Sequence, residues 1–168
     1  AARVAERRTD VDRLALWEPQ PKPWDDLYAE LRSTVSMQTV LFKDVKKTRD
    51  EILAGVLSQT PTIVDGYDLN VIDDGYPLSK KLVEEAKTID LIASPPRTQA
   101  KSLVLHVRRG PGQPGKKLQD FIKALEGAGV PLTTDVAVES TLPWVHEQIY
   151  TTHSENVYAK TFAWLEGA

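Results

Sequence analysis

The chain has 168 residues, with 21 Lys/Arg against 24 Asp/Glu, three histidines and no cysteine. That length suits one domain, which buries roughly two-thirds of its unfolded surface. The missing cysteines exclude disulfides, thiolate zinc sites and cysteine nucleophiles. The mild net charge of -3 excludes capture of polyanions by the molecule as a whole, so such binding needs a local patch.

At 41% apolar and 27% charged residues, the composition is that of a folded globular protein. No apolar run approaches the roughly 20 residues of a membrane span, and no cationic start leads into an apolar signal segment. An intracellular, cytoplasmic setting is therefore expected. The chain opens Ala1-Ala2-Arg3, and its single methionine is Met37. That start fits a domain of a larger protein or assembly and favours a binding role over a self-contained enzyme.

In chain order, Val4, Val11, Leu14 and Leu16 fall near helical spacing among Arg3, Arg7, Arg8 and Arg13, predicting a helix within 1–16. Trp17 to Trp24 reads W-E-P-Q-P-K-P-W, and alternating prolines predict an extended strap. Its two tryptophans either pin the strap to the domain or serve as a partner contact. Asp25 or Asp26 caps a helix carrying Leu27, Tyr28 and Leu31, while 33–42 fits no single pattern. Phe42, Val45, Arg49, Ile52, Leu53 and Val56 share one helical face that stops near Gln59, ahead of Pro61.

From Thr62 to Ile72 the period falls to two, and Asp65-Gly66 predicts an antiparallel hairpin. A helix over Leu78–Lys87 follows, with Leu82, Val83 and Ala86 inward, then a strand over Ile89–Ala93 stopped by Pro95-Pro96. The clearest unit comes next. Leu103–Val107 is an apolar strand; Leu118, Phe121, Ile122 and Leu125 form an amphipathic helix; Leu132–Val138 is a second strand. This succession predicts a parallel βαβ unit over about 102–138. A helix over Trp144–Tyr150 and a last helix capped by Ser154, with Val157, Tyr158, Phe162 and Leu165 inward, complete the chain.

The segment joining that strand to its helix holds the best candidate for chemistry. Gly110-Pro111-Gly112-Gln113-Pro114-Gly115-Lys116-Lys117 satisfies both G-x-G-x-x-G and G-x-x-x-x-G-K. In both patterns glycines let backbone N–H groups approach phosphate at a helix start. Here Pro111 and Pro114 remove two such donors, and Lys117 replaces the Ser/Thr that would hold magnesium. Charge is the stronger signal. From Arg97 to Lys117 there are six bases (Arg97, Lys101, Arg108, Arg109, Lys116, Lys117) and no acid. That asymmetry predicts an anion-binding surface, supported by Gly110, Gly112 and Gly115. The alternative is a solvated loop answering acidic neighbours. No aromatic interrupts the basic stretch, so base stacking is not indicated.

Asp65, Asp68, Asp73 and Asp74 offer oxygen ligands, but Asp-Gly turns account for two of them and no calcium-loop spacing is present. His106 lies in an apolar strand, where a buried, hydrogen-bonded role is expected. Glu139, His146 and His153 recur every seven residues and would form an acid/base or metal set only if they converged; separate surface histidines are the simpler reading.

The expected fold is α/β, with a mixed sheet of about four or five strands, a hairpin near 62–72 and helices packed on the sheet. Residues 1–24 would form a helix and strap, and 25–168 a single domain. The expected function is non-catalytic binding of an anionic partner, either nucleic-acid phosphates or an acidic protein face, through 97–117. No cofactor and no metal are expected. The alternatives are a phosphate-ligand enzyme built on Gly110–Lys117, with Glu139 on a ribose or metal, and a structural domain docking through Trp17 and Trp24.

Overall fold

A computed structural model describes residues 1–43, 47–64, 66–70, 77–140 and 154–167. The fold is α/β, and the chain divides into two compact units: 1–21 with 91–168, and Lys22–Asp90. Residues 1–24 are thus not set apart, since the first 21 join the larger unit and Lys22 opens the other.

The larger unit is built on a parallel sheet of β1 (Arg13–Trp17), β4 (Lys101–Arg108) and β5 (Leu132–Val138), in the order β1-β4-β5. β4 is central, pairing Leu103 with Ala15 on one side and with Thr133 on the other. A strand covered on both faces reads as a continuous apolar run, and residues 102–105 of β4 are all buried. Leu103, Leu105 and Val107 face α6 (Glu155–Gly167) and pack with Ala137 and Val157. Val104 faces α5 (Lys116–Gly127) and packs with Leu118, Phe121, Leu125 and Val130. The predicted βαβ unit is therefore present as β4-α5-β5.

Nonlocal pairing overrode two local readings in this unit. The helix predicted for 1–16 is confined to α1 (Ala2–Glu6); Leu14 and Leu16 belong to β1, which pairs with β4. Ile89–Ala93 is not a strand: Leu91 donates its N–H to the Pro21 carbonyl, and Leu91 and Ile92 pack on the α5 core. The inward face of α6 is Val157, Thr161 and Trp164. Of the predicted inward set only Val157 is buried, with Tyr158, Phe162 and Leu165 exposed.

The second unit packs α2 (Pro23–Leu41), α3 (Arg49–Ser58) and α4 (Lys80–Thr88) around Leu31, Ile52, Leu53, Val56, Leu78 and Val83. The strap is shorter than predicted, because Pro23 occupies the first turn of α2, where its missing N–H removes no helical bond. Residues 33–41 continue that helix, burying Thr34 and Gln38 where apolar side chains would make the pattern legible. The next helix begins at Arg49, not Phe42. Thr48 and Glu51 form a reciprocal capping box there. In α4, Ser79 caps, Val83 and Ala86 are buried, and Leu82 points outward.

The hairpin is short, pairing β2 (Ile63–Val64) antiparallel with β3 (Tyr67–Asp68) around Gly66 at φ +83°. It forms its own two-stranded sheet and does not extend the parallel one. Lys47 ties it down, donating to Thr62 Oγ1 at 2.6 Å and Asn70 Oδ1 at 2.9 Å. Burial pushes the Lys47 amine below its ordinary pKa, partly offset by Asp68 and Glu51. The helix predicted over 144–150 lies outside the described residues.

Candidate functional site

The six bases of the predicted surface separate into two groups. Lys101 opens β4 and Arg108 closes it. Eight extended residues put the two Cα atoms roughly 23 Å apart. Arg97 and Lys101 therefore lie toward one end of the sheet, and Arg108, Arg109, Lys116 and Lys117 lie at the carboxyl end, around the turn into α5. The second end is where open α/β sheets hold ligands.

The turn folds back on its own arginine. Arg108 Nη1 donates to the Gln113 carbonyl at 3.2 Å. A Cβ on Gly112, at φ +143°, would stand 2.5 Å from that nitrogen, so glycine here makes room for the guanidinium. Gly110 and Gly115 have open space around them, and Gly115 is the N-cap of α5 without a side-chain cap bond. Gln119 closes the turn by donating to the Pro114 carbonyl at 2.6 Å. Lys116 is exposed and pairs with Asp120 at 2.8 Å, one helical turn on; such pairs contribute little in water. Arg109 is exposed, and Lys117 is half-buried. At the other end, the Arg97 backbone N–H donates to Glu6 Oε1 at 3.0 Å. That bond, with the Arg3 guanidinium, holds the Glu6 carboxyl below its ordinary pKa.

A carboxylate–imidazole pair absent from the sequence reading joins the carboxyl end of the sheet. Glu18 follows β1 at φ +40°, a left-handed conformation uncommon outside glycine. Its Oε2 lies 2.6 Å from His106 Nδ1 and accepts the Val107 N–H at 2.9 Å. A carboxylate only accepts, so the ring presents Nδ1–H to it. His106 thus has the hydrogen-bonded role expected of it. Its partner was illegible because Glu18 and His106 are 88 positions apart and meet only through strand pairing.

Glu139, considered for a ribose or metal, is buried and occupied. Its Oε1 accepts the Val157 N–H at 2.7 Å and its Oε2 the Asn156 side-chain amide at 3.3 Å. It takes the capping role expected of Ser154, whose buried hydroxyl has no partner among the described residues. His146, His153, Asp65, Asp73 and Asp74 lie outside the described residues. Asp68 Oδ1 accepts the Thr62 and Asn70 N–H groups, a turn role. Among the described residues no group of three or more His, Asp or Glu is placed to hold a metal ion.

The two tryptophans proposed as a partner contact fall in different units. Trp17 Nε1 donates to Thr161 Oγ1 at 3.0 Å, and its ring meets Tyr158 edge-on at 5.5 Å. Trp24 stacks on Tyr28 at 5.5 Å, with the Lys87 ammonium 4.6 Å from its ring centre. Each is engaged within its own core. No helix among the described residues is long and apolar enough to cross a membrane. Compared with known families, curated proteins and solved structures, the chain matches none.

Proposed function

We propose that the chain is a non-catalytic binding domain that contacts an anionic macromolecule through Arg108, Arg109, Lys116 and Lys117. One observation carries this reading: the β4–α5 turn collects four bases and no acid at the carboxyl end of a parallel sheet. The start of α5 adds its partial positive charge there. The folded-back Arg108 and the two prolines favour an extended anion approaching from outside over a nucleotide cradled by backbone. Arg97 and Lys101 are left out of this contact, because β4 separates them from it.

The test is titration of the chain with duplex nucleic acid and with poly-glutamate, each at two salt concentrations. Binding through these side chains weakens with salt, and the slope falls by about one for each phosphate contact removed. Arg108→Ala/Arg109→Ala/Lys116→Ala should abolish most of the affinity for whichever polyanion binds. Affinity and salt slope unchanged by the triple substitution would overturn the reading, as would no binding to either.

A further inference from the structure

A surface cleft of about 540 Å³ opens at the other end of the parallel sheet, between β4, β5 and the last turns of α6. Its walls are Pro131, Leu132, Ala163 and the half-buried Trp164, and Thr133, Lys101 and Gly167 complete the lining. The strand pattern explains the placement. Lys101, first in β4, and Thr133, second in β5, lie on the face that carries Leu103 and Ala137, and α6 crosses that face.

Charge narrows what the cleft accepts. Among its lining residues Lys101 is the only ionisable side chain, and none is acidic. On the strand and helix that wall the cleft, Asp135 and Lys160 pair at 2.6 Å, and the exposed Glu166 precedes the lining Gly167 at the end of α6. Lys101 is exposed, and its ammonium makes no hydrogen bond or ion pair among the described residues. A mostly apolar cleft with a few polar groups on its wall is a common form of small-molecule site. Its complement is an apolar body ending in a single negative group.

We propose that this cleft binds a small molecule with an apolar chain or ring and one carboxylate, with Lys101 as counter-ion and Trp164 as apolar wall. The site is independent of the basic turn at the opposite end of the sheet. It also gives a role to a lysine that β4 removes from that turn.

Isothermal titration of the full chain with octanoate, 1-octanol and octylamine tests the proposal. Octanoate should bind about fivefold more tightly than octanol, the upper range for an exposed ion pair, and octylamine should bind most weakly. Lys101→Met keeps the apolar stem and removes the charge; it should erase the preference for octanoate and leave octanol unchanged. Ala163→Phe fills the cleft from an exposed position and should abolish binding of both. No octanoate binding, equal binding of octylamine, or octanoate binding indifferent to both substitutions would each overturn the proposal.

Discussion

The Glu18 carboxylate holds His106 Nδ1 at 2.6 Å and the Val107 N–H at 2.9 Å, joining the end of β1 to the end of β4. Its backbone at φ +40° is the strain that accompanies this reach. Glu18→Ala should therefore destabilise the protein by about 1–3 kcal/mol, since it leaves a half-buried imidazole and a strand N–H unpaired. Glu18→Gly loses the same bonds but relieves the left-handed backbone, so it should cost about 1 kcal/mol less than alanine. Urea denaturation of both variants checks the ordering, and glycine being the worse of the two would contradict the strain.

Glu139 and Ser154 make opposite predictions at the start of α6. Glu139→Ala should cost about 2 kcal/mol, because it leaves the buried Val157 N–H without its charged acceptor. Ser154→Ala should be neutral or slightly stabilising, because the buried hydroxyl it removes has no partner among the described residues. Equal losses for the two variants in chemical denaturation would return the capping role to Ser154.

Gly112 and Arg108 should be energetically coupled. Gly112→Ala meets both the +143° backbone and the guanidinium at 2.5 Å, so it should destabilise by about 1–2 kcal/mol. In an Arg108→Ala background the steric part disappears and the backbone part remains. A double-mutant cycle should give at least about 0.5 kcal/mol of coupling; strict additivity would show that the guanidinium does not rest on the glycine.

Acid should loosen the attachment of α1. Glu6 is held below its ordinary pKa by the Arg97 N–H first and the Arg3 guanidinium second. A depressed carboxyl contributes stability above its unfolded value, about 4.3, and loses it as pH falls through the lower folded value. The protection of the Arg97 amide, its exchange relative to the intrinsic rate at each pH, should fall over that acid window in the wild type. In Glu6→Gln protection should be low already at neutral pH, with no step through the window. An identical profile in both proteins would remove Glu6 as the cause.

Periodicity and composition by themselves determined the α/β class, the β4-α5-β5 unit, the hairpin turn at Gly66 and the basic character of the β4–α5 turn. Each is a local property: an apolar run, a 3.6-residue stripe, a glycine able to take positive φ, a stretch without acids. The Thr48–Glu51 capping box was legible too, as T-x-x-E, and would have set the start of α3 correctly. Other features had no local signature. β1 is a strand only because β4 pairs with it, α2 runs to Leu41 although it buries Thr34 and Gln38, and the bases from Arg97 to Lys117 look continuous until an extended strand draws them apart. Tertiary structure alone decided that Glu18 would meet His106, that Glu139 would cap a helix instead of facing a ligand, and that Lys101 would stand at a cleft with Trp164. Those outcomes depend on which backbone and side-chain groups distant parts of the chain leave to be satisfied, and spacing along the sequence carries no record of it.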